Sequence, residues 1–270
     1  MQAPIEIVVA GATGRMGEAV CRMALADPGF RLAGLLARMG DPAVGSVPYD
    51  RGPRVDEDPS MTLVPGRVLV EFTTPEGTAT LARAAARGGA ALVSGTTGLG
   101  REAEEALAAA ARRVAVVHAP NLSRGVALLT ELAARAATVL GDFELEIEER
   151  HHRGKADAPS GTALALAAVL AKARGLGPGA YRHGRSGRGD RRPDEIGIHA
   201  LRGGDWVGEH TILLAGPGET LELRHRAESR SAFARGALSA ARFAAEAPPG
   251  LYGMADVLAG VPGEVGKRSG

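Results

Sequence analysis

"VVAGATGRMG", residues 8–17, decides how the chain is read. An apolar run closes on three glycines, Gly11, Gly14 and Gly17, in the spacing G-x-x-G-x-x-G. This spacing is a variant of the dinucleotide-binding fingerprint. Glycine at a strand-to-helix turn lets the backbone approach a pyrophosphate. The helix that follows then offers that anion free N–H groups and a partial positive charge. In isolation the same triplet would fit an ordinary turn needing positive φ, so its context decides.

That context is a strand predicted over residues 5–10 and a helix running to about Ala26. Further strands are predicted over 30–36, 67–72, 90–94 and 114–118, with helices over 75–87 and 101–113. Residues 38–65 are rich in Gly, Pro and Asp and read as loops with short elements. Strands alternating with alanine-rich helices imply a parallel sheet covered on both faces. The fold class is therefore α/β. The texture changes after a helix expected from Ser123 to about Leu140. "DFELEIEERHH" alternates like a half-buried strand, and a helix follows over 160–173. A Gly/Arg-rich loop precedes strands over 196–201, 209–214 and 220–226, with no helix between them, as in an antiparallel or mixed sheet. A last amphipathic helix is predicted over 231–246.

Composition narrows the function classes. The chain's 270 residues suit two compact lobes or one large domain. Apolar residues are 45% and aromatics only 3%, so the core must be aliphatic. A formal net charge of +1 argues against a nucleic-acid partner. A single cysteine, Cys21, excludes an intrachain disulfide and fits a reducing, cytoplasmic setting. The N-terminus lacks a signal-peptide pattern, and no run of about 18 apolar residues suggests a membrane span.

If the glycine loop holds a nicotinamide nucleotide, the end of the second strand should tell NAD from NADP. An acid there would grip the ribose 2′-hydroxyl. Ala37 and Arg38 stand there instead, and Arg38 with Arg15 could meet a 2′-phosphate. This points to NADPH as the preferred cofactor with NADH possible, although solvated arginines or a reach from Asp41 would read alike. "SGTTG" places Gly95, Thr96 and Thr97 after the fourth strand, and "HAPNLSRG" places Ala119, Pro120, Asn121 and Leu122 after the fifth. Ligands of open α/β sheets sit outside such strand ends.

"EERHHRGKADAPSGTAL", residues 148–164, concentrates titratable chemistry. His151, His152, Arg153 and Lys155 precede an Asp-Ala-Pro turn, and Ser160 can N-cap the helix that begins Gly161-Thr162. These cations and a helix N-terminus favour an anion such as a carboxylate, and His and Lys are usual proton donors. A solvated basic loop is the plain alternative. No metal is expected, since adjacent histidines face apart on a strand and no third ligand is spaced to join them.

Here the chain resembles the 4-hydroxy-tetrahydrodipicolinate reductase (dihydrodipicolinate reductase) family of diaminopimelate and lysine biosynthesis. The resemblance rests on "VAGATGRMG", "EFTTPEGT", "SGTTG", "APNLSRGV", "HHRGKADAPSGTAL", "GDWVGEHT" and "YGMADVL", and spans nearly the whole chain. It implies an N-terminal Rossmann-type domain, residues 1–122 plus 232–270, and an α+β substrate-binding and oligomerisation domain, residues 123–231. It implies His151 as acid/base and Lys155 as proton donor. His152, Gly161 and Thr162 would contact a cyclic dicarboxylate substrate. Gly11, Ala12, Thr13, Gly14, Arg15 and Met16 would contact the cofactor, with Arg38 on the 2′-phosphate and the residues named at 95–97 and 119–122. It also implies a homotetramer. Two departures stand out: Gly154 replaces a frequent third histidine, and Ala37 replaces the Glu of members that use NADH well. Another two-domain dehydrogenase of amino or hydroxy acids, or an NADPH-sensing protein without turnover, would share the glycine loop.

Overall fold

The computed structural model describes residues 3–50 and 52–260. Residues 261–270, which the sequence assigns to the dinucleotide-binding domain, lie outside the described residues. The chain divides into two compact units, one of residues 1–124 and 230–270, the other of residues 125–229.

The first unit opens with β1 (Ile5–Ala10), α1 (Arg15–Ala26), β2 (Phe30–Leu36), β3 (Val55–Asp56) and β4 (Arg67–Glu71). It continues with α2 (Pro75–Gly88), β5 (Ala91–Ser94), α3 (Arg101–Ala111) and β6 (Ala115–His118). Local chemistry sets these boundaries. Thr74 caps α2 by accepting from the Gly77 amide at 3.2 Å, Pro75 supplies a preset φ at the first turn, and Gly89 ends the helix in the left-handed region.

The second unit holds α4 (Arg124–Val139), β7 (Glu144–His151), α5 (Gly161–Ala173), β8 (Tyr181–His183), β9 (Ile196–Arg202), β10 (Gly208–Gly216) and β11 (Glu219–Ala227). The chain then returns to the first unit with α6 (Ser231–Glu246), β12 (Gly250–Tyr252) and α7 (Met254–Ala259).

The first sheet has seven strands in the order β12-β6-β5-β4-β1-β2-β3, all parallel. Strand order reverses at β1, which lies between β2 and β4, so the loops after β1 and β4 part to opposite sides. That switch point is where such sheets leave a crevice. Ile7, Val8, Val9, Leu69, Val70, Leu92 and Val116 are completely buried, as strands covered on both faces require.

The second sheet is mixed, in the order β11-β10-β7-β9-β8. β10 runs antiparallel to both neighbours, while β7, β9 and β8 are mutually parallel. Alternation along β7 turns Leu145 and Ile147 onto α4 and α5, where Leu129, Ala133, Leu166 and Leu170 complete an aliphatic core. The next inward position on β7 is Glu149, which is also completely buried. Among the described residues no helix is long and apolar enough to cross a membrane.

Candidate functional site

The glycine loop joins β1 to α1 at the switch point. Gly11 has φ +71, and a Cβ there would lie 2.4 Å from the Phe72 carbonyl oxygen, so only glycine fits this turn. A Cβ on Gly17 would lie 2.2 Å from the Gly11 carbonyl oxygen, which forces the close packing of helix on turn that the fingerprint needs. Gly14 is the N-cap of α1, and no side chain caps the helix. Its first amides are therefore free of a side-chain acceptor, as a phosphate-binding turn requires. Thr13, Gly14 and Arg15 are exposed, Met16 is half-buried and Ala12 is buried. These features fit a dinucleotide.

Arg38 lies two residues past the end of β2 and its side chain is 86% exposed, with Asp41 as a distant partner at 4.0 Å. It is free to meet a phosphate. Asp41 is engaged elsewhere, accepting from the Ala43 amide at 3.0 Å. The two later loops differ in what they present. Thr97 and Pro120 are exposed, whereas Thr96, Ala119 and Leu122 are buried. Asn121 turns its side-chain oxygen onto the Ser123 amide at 2.9 Å. The Thr96 hydroxyl donates to Glu71 at 2.8 Å, so Thr96 could offer a cofactor only its backbone.

In the second unit, the end of β7 and the start of α5 converge on Glu149. Its carboxylate accepts a two-bond fork from Arg202, at 2.9 Å from Nη1 and 2.8 Å from Nη2. It also accepts the Ser160 amide at 3.0 Å and pairs with Nδ1 of His151. Burial would raise the Glu149 pKa, but the bonds from His151, Arg202 and Ser160 outweigh it and hold the group down at about 2. An ionised carboxylate has no proton to give, so in this bond His151 donates from Nδ1.

His210, on β10, meets the His151 ring edge-on with centroids 5.2 Å apart, and its Nε2 lies 3.3 Å from the Ser160 hydroxyl. Burial first, and then the nearby His151, push its pKa down to about 3, so His210 is neutral. Ser160 caps α5 by accepting from the Ala163 amide at 3.2 Å, as the sequence suggests.

The basic loop folds back from this anchor. The Lys155 amide donates to the His152 carbonyl at 3.1 Å, and Lys155 Nζ is 2.7 Å from an Asp157 oxygen. Arg202 donates to the Asp157 carbonyl at 2.6 Å, so one guanidinium holds both the buried carboxylate and the loop. Gly161 is exposed, and among the described residues a Cβ there would meet no atom within 4 Å. A Cβ on Gly154 would lie 3.5 Å from Nδ1 of His152, an ordinary contact, so the backbone here does not itself require glycine. His151, His152, Lys155, Gly161 and Thr162 thus gather at one end of the second sheet. Glu149 and Arg202, which no motif flagged, hold them there. Among the described residues no group of three or more His, Cys, Asp or Glu is arranged to bind a metal ion.

Comparison with known proteins bears on both units. A family model described as "Dihydrodipicolinate reductase, N-terminus" matches residues 5–122, and one described as "Dihydrodipicolinate reductase, C-terminus" matches residues 125–258. A 4-hydroxy-tetrahydrodipicolinate reductase of Anaeromyxobacter dehalogenans strain 2CP-1 is 46% identical over 264 residues, covering 94% of this chain and 97% of that protein. Its counterpart from Rubrobacter xylanophilus is 48% identical over 267 residues, covering 96% and 100%. The solved structure of a dipicolinate-bound dihydrodipicolinate reductase from Paenisporosarcina sp. TG-14 shares the fold, with a TM-score of 0.74 at 23% identity over 93% of this chain and 97% of that one.

Proposed function

Because the chain belongs to the dihydrodipicolinate reductase family, we propose that its glycine loop and its His151–Lys155 constellation serve one reaction. That reaction is the NAD(P)H-dependent reduction of 4-hydroxy-tetrahydrodipicolinate in diaminopimelate and lysine biosynthesis. The observation that carries this reading is the Glu149–His151 pair, followed in one loop by Lys155 and by the exposed Gly161 that opens α5. Such an arrangement suits an anionic ring that must receive a proton.

Loss of water from the 4-hydroxy compound leaves a conjugated cyclic imine with two carboxylates. The reduced nicotinamide, when bound, supplies hydride to C4. The chain's own residues do the rest. His152, the Thr162 region and the Gly161 amide hold a carboxylate through charge and N–H donation. Lys155 donates the proton that completes the adjacent carbon, and the product is tetrahydrodipicolinate. His151, its Nδ1 committed to Glu149, exchanges protons through Nε2 beside Lys155. Asp157 holds Lys155 in place before substrate arrives.

NADPH is the preferred cofactor in this reading. Exposed Arg38 can pair a 2′-phosphate, while Ala37 has no acceptor for a ribose hydroxyl. We further infer a cytoplasmic homotetramer, assembled through the sheet face of the second unit that carries Glu146, Leu213 and Glu222, opposite its helices.

The decisive assay follows nicotinamide absorbance with freshly generated 4-hydroxy-tetrahydrodipicolinate, alongside a panel of amino and hydroxy acids. Consumption of NADPH with the cyclic substrate supports the assignment. Turnover confined to an amino or hydroxy acid would overturn it in favour of another dehydrogenase. Nucleotide binding without any turnover would point to a sensor.

A further inference from the structure

We propose that Glu71 is a positioning residue of the cofactor site, whose carboxylate ties the loops after β4 and β5 into the shape that receives the nucleotide. β4 runs Arg67-Val-Leu-Val-Glu71, and its apolar residues fill the sheet core. Its last residue is an acid that is completely buried. A buried carboxylate in an aliphatic sheet is costly unless donors surround it.

Five donors do. On one oxygen the Thr78 hydroxyl bonds at 2.9 Å and the Ser94 hydroxyl also bonds. On the other the Thr73 amide bonds at 3.0 Å, the Thr73 hydroxyl at 2.8 Å and the Thr96 hydroxyl at 2.8 Å. The Thr73 amide also reaches the Thr96 hydroxyl oxygen, at 3.0 Å.

The sheet register explains why one side chain can do this. Ala10, Glu71, Ser94 and His118 stand in a single row across the carboxyl ends of β1, β4, β5 and β6. Each loop of the site leaves from that row: the glycine turn after Ala10, Phe72–Thr74 after Glu71, Gly95–Thr97 after Ser94 and Ala119–Leu122 after His118. Main-chain bonds already stitch the row, with Phe72 N to Ala10 O at 3.2 Å, Gly95 N to Glu71 O at 3.0 Å and Ala119 N to Ser94 O at 3.2 Å. His118 extends the side-chain network through a 3.3 Å contact of Nδ1 with the Ser94 hydroxyl.

Above the row the loops touch. A Cβ on Gly11 would strike the Phe72 carbonyl, and a Cβ on Gly95 would lie 2.3 Å from the Phe72 ring. Thr73 and Thr96 sit directly over Glu71 and spend their hydroxyl protons on it. Their side chains therefore shape the loop floor, and the loop backbone faces the ligand. Only an acceptor-only group satisfies five donors at once, which is why an acid stands here.

The proposal rests on assigning these loops to a nicotinamide nucleotide, and the test separates the two ideas. Glu71→Gln replaces one acceptor oxygen by a donor, and Thr96→Val removes the hydroxyl with little change in shape. NADPH binding would be measured by calorimetry on the full chain, with KM for both substrates and thermal unfolding alongside. Each variant should raise the NADPH Kd about 10- to 100-fold, the consequence of leaving buried donors unsatisfied in the loops. KM for the dicarboxylate should stay within about twofold, because its contacts lie in the other unit. A folded variant with an NADPH Kd within about twofold of wild type would overturn the proposal, even if its melting temperature had fallen. If Glu71→Gln fails to fold, Thr96→Val decides by the same criterion. Failure of the nucleotide assignment itself would appear in the wild-type chain as absence of NADPH binding, and would overturn both ideas.

Discussion

Glu149 and Arg202 meet across adjacent parallel strands in a two-bond fork, at 2.8 and 2.9 Å, and His151 shares the same carboxylate. The fork exists because β7 and β9 pair with Glu149 opposite Ala200 and His151 opposite Arg202. The register brings a cation from one strand over an acid from the other. The acid lies at the inward position where the aliphatic core gives way to the site.

Removing one partner from a buried pair leaves an uncompensated charge. Arg202→Ala should therefore destabilise the protein by about 3–5 kcal/mol. Glu149 adds a pH signature. Its pKa falls from the ordinary 4.5 to about 2 on folding, so the unfolded chain binds the proton more tightly. The resulting stability is complete above pH 4.5 and is lost as pH falls toward 2, roughly 3 kcal/mol in all. Urea titrations between pH 7 and 2 should show this loss in wild type, and a smaller one in a folded Glu149→Gln variant.

His210 should make itself felt at milder acidity. It is neutral when folded, with a pKa of about 3 against the ordinary 6.5. His151, His225 and Lys155 add to the penalty on its charged form, and Glu149 opposes it. The unfolded chain takes up a proton below pH 6.5 that the folded one refuses, so stability declines as pH falls from 6.5 toward 3. The slope should approach about 1.4 kcal/mol per pH unit for this group alone. A folded His210→Asn protein with an unchanged slope between pH 6 and 4 would contradict this.

Cofactor choice should follow Arg38. Arg38→Ala removes a cation that can pair a 2′-phosphate, so NADPH affinity should fall by about tenfold while NADH affinity changes little. Calorimetry with both nucleotides checks this, and equal loss for the two would count against the assignment.

His152 and Thr162 should act on binding rather than on chemistry. His152→Ala and Thr162→Val should raise KM for the dicarboxylate with little effect on kcat, the pattern of lost uniform binding. A fall in kcat with unchanged KM in either variant would move that residue into the proton-transfer step.

The α/β unit was legible in the sequence almost to the residue. Its strands are continuous apolar runs, and its helices start and stop on local signals such as Thr74, Pro75 and Gly89. β8 and β12 were not legible. Each is three residues long, and β8 sits in a Gly/Arg-rich stretch with no alternation to betray it. The loop of His151, His152 and Lys155 announced itself by composition. The acids that organise the two sites did not, although each left a trace. Period-two counting through Leu145 and Ile147 turns Glu149 inward, and Glu71 closes a run of core residues. Arg202 left none, because its partner is set by strand register alone.

The "HHRGK" loop, in the function proposed above, is a proton-transfer site and not a solvated basic turn. Turnover of the folded Lys155→Ala protein with NADPH and 4-hydroxy-tetrahydrodipicolinate tests it most directly. The expected loss is about two to four orders of magnitude in kcat, the usual range for a positioned acid, with NADPH affinity unchanged. Near-wild-type turnover in that variant would contradict it.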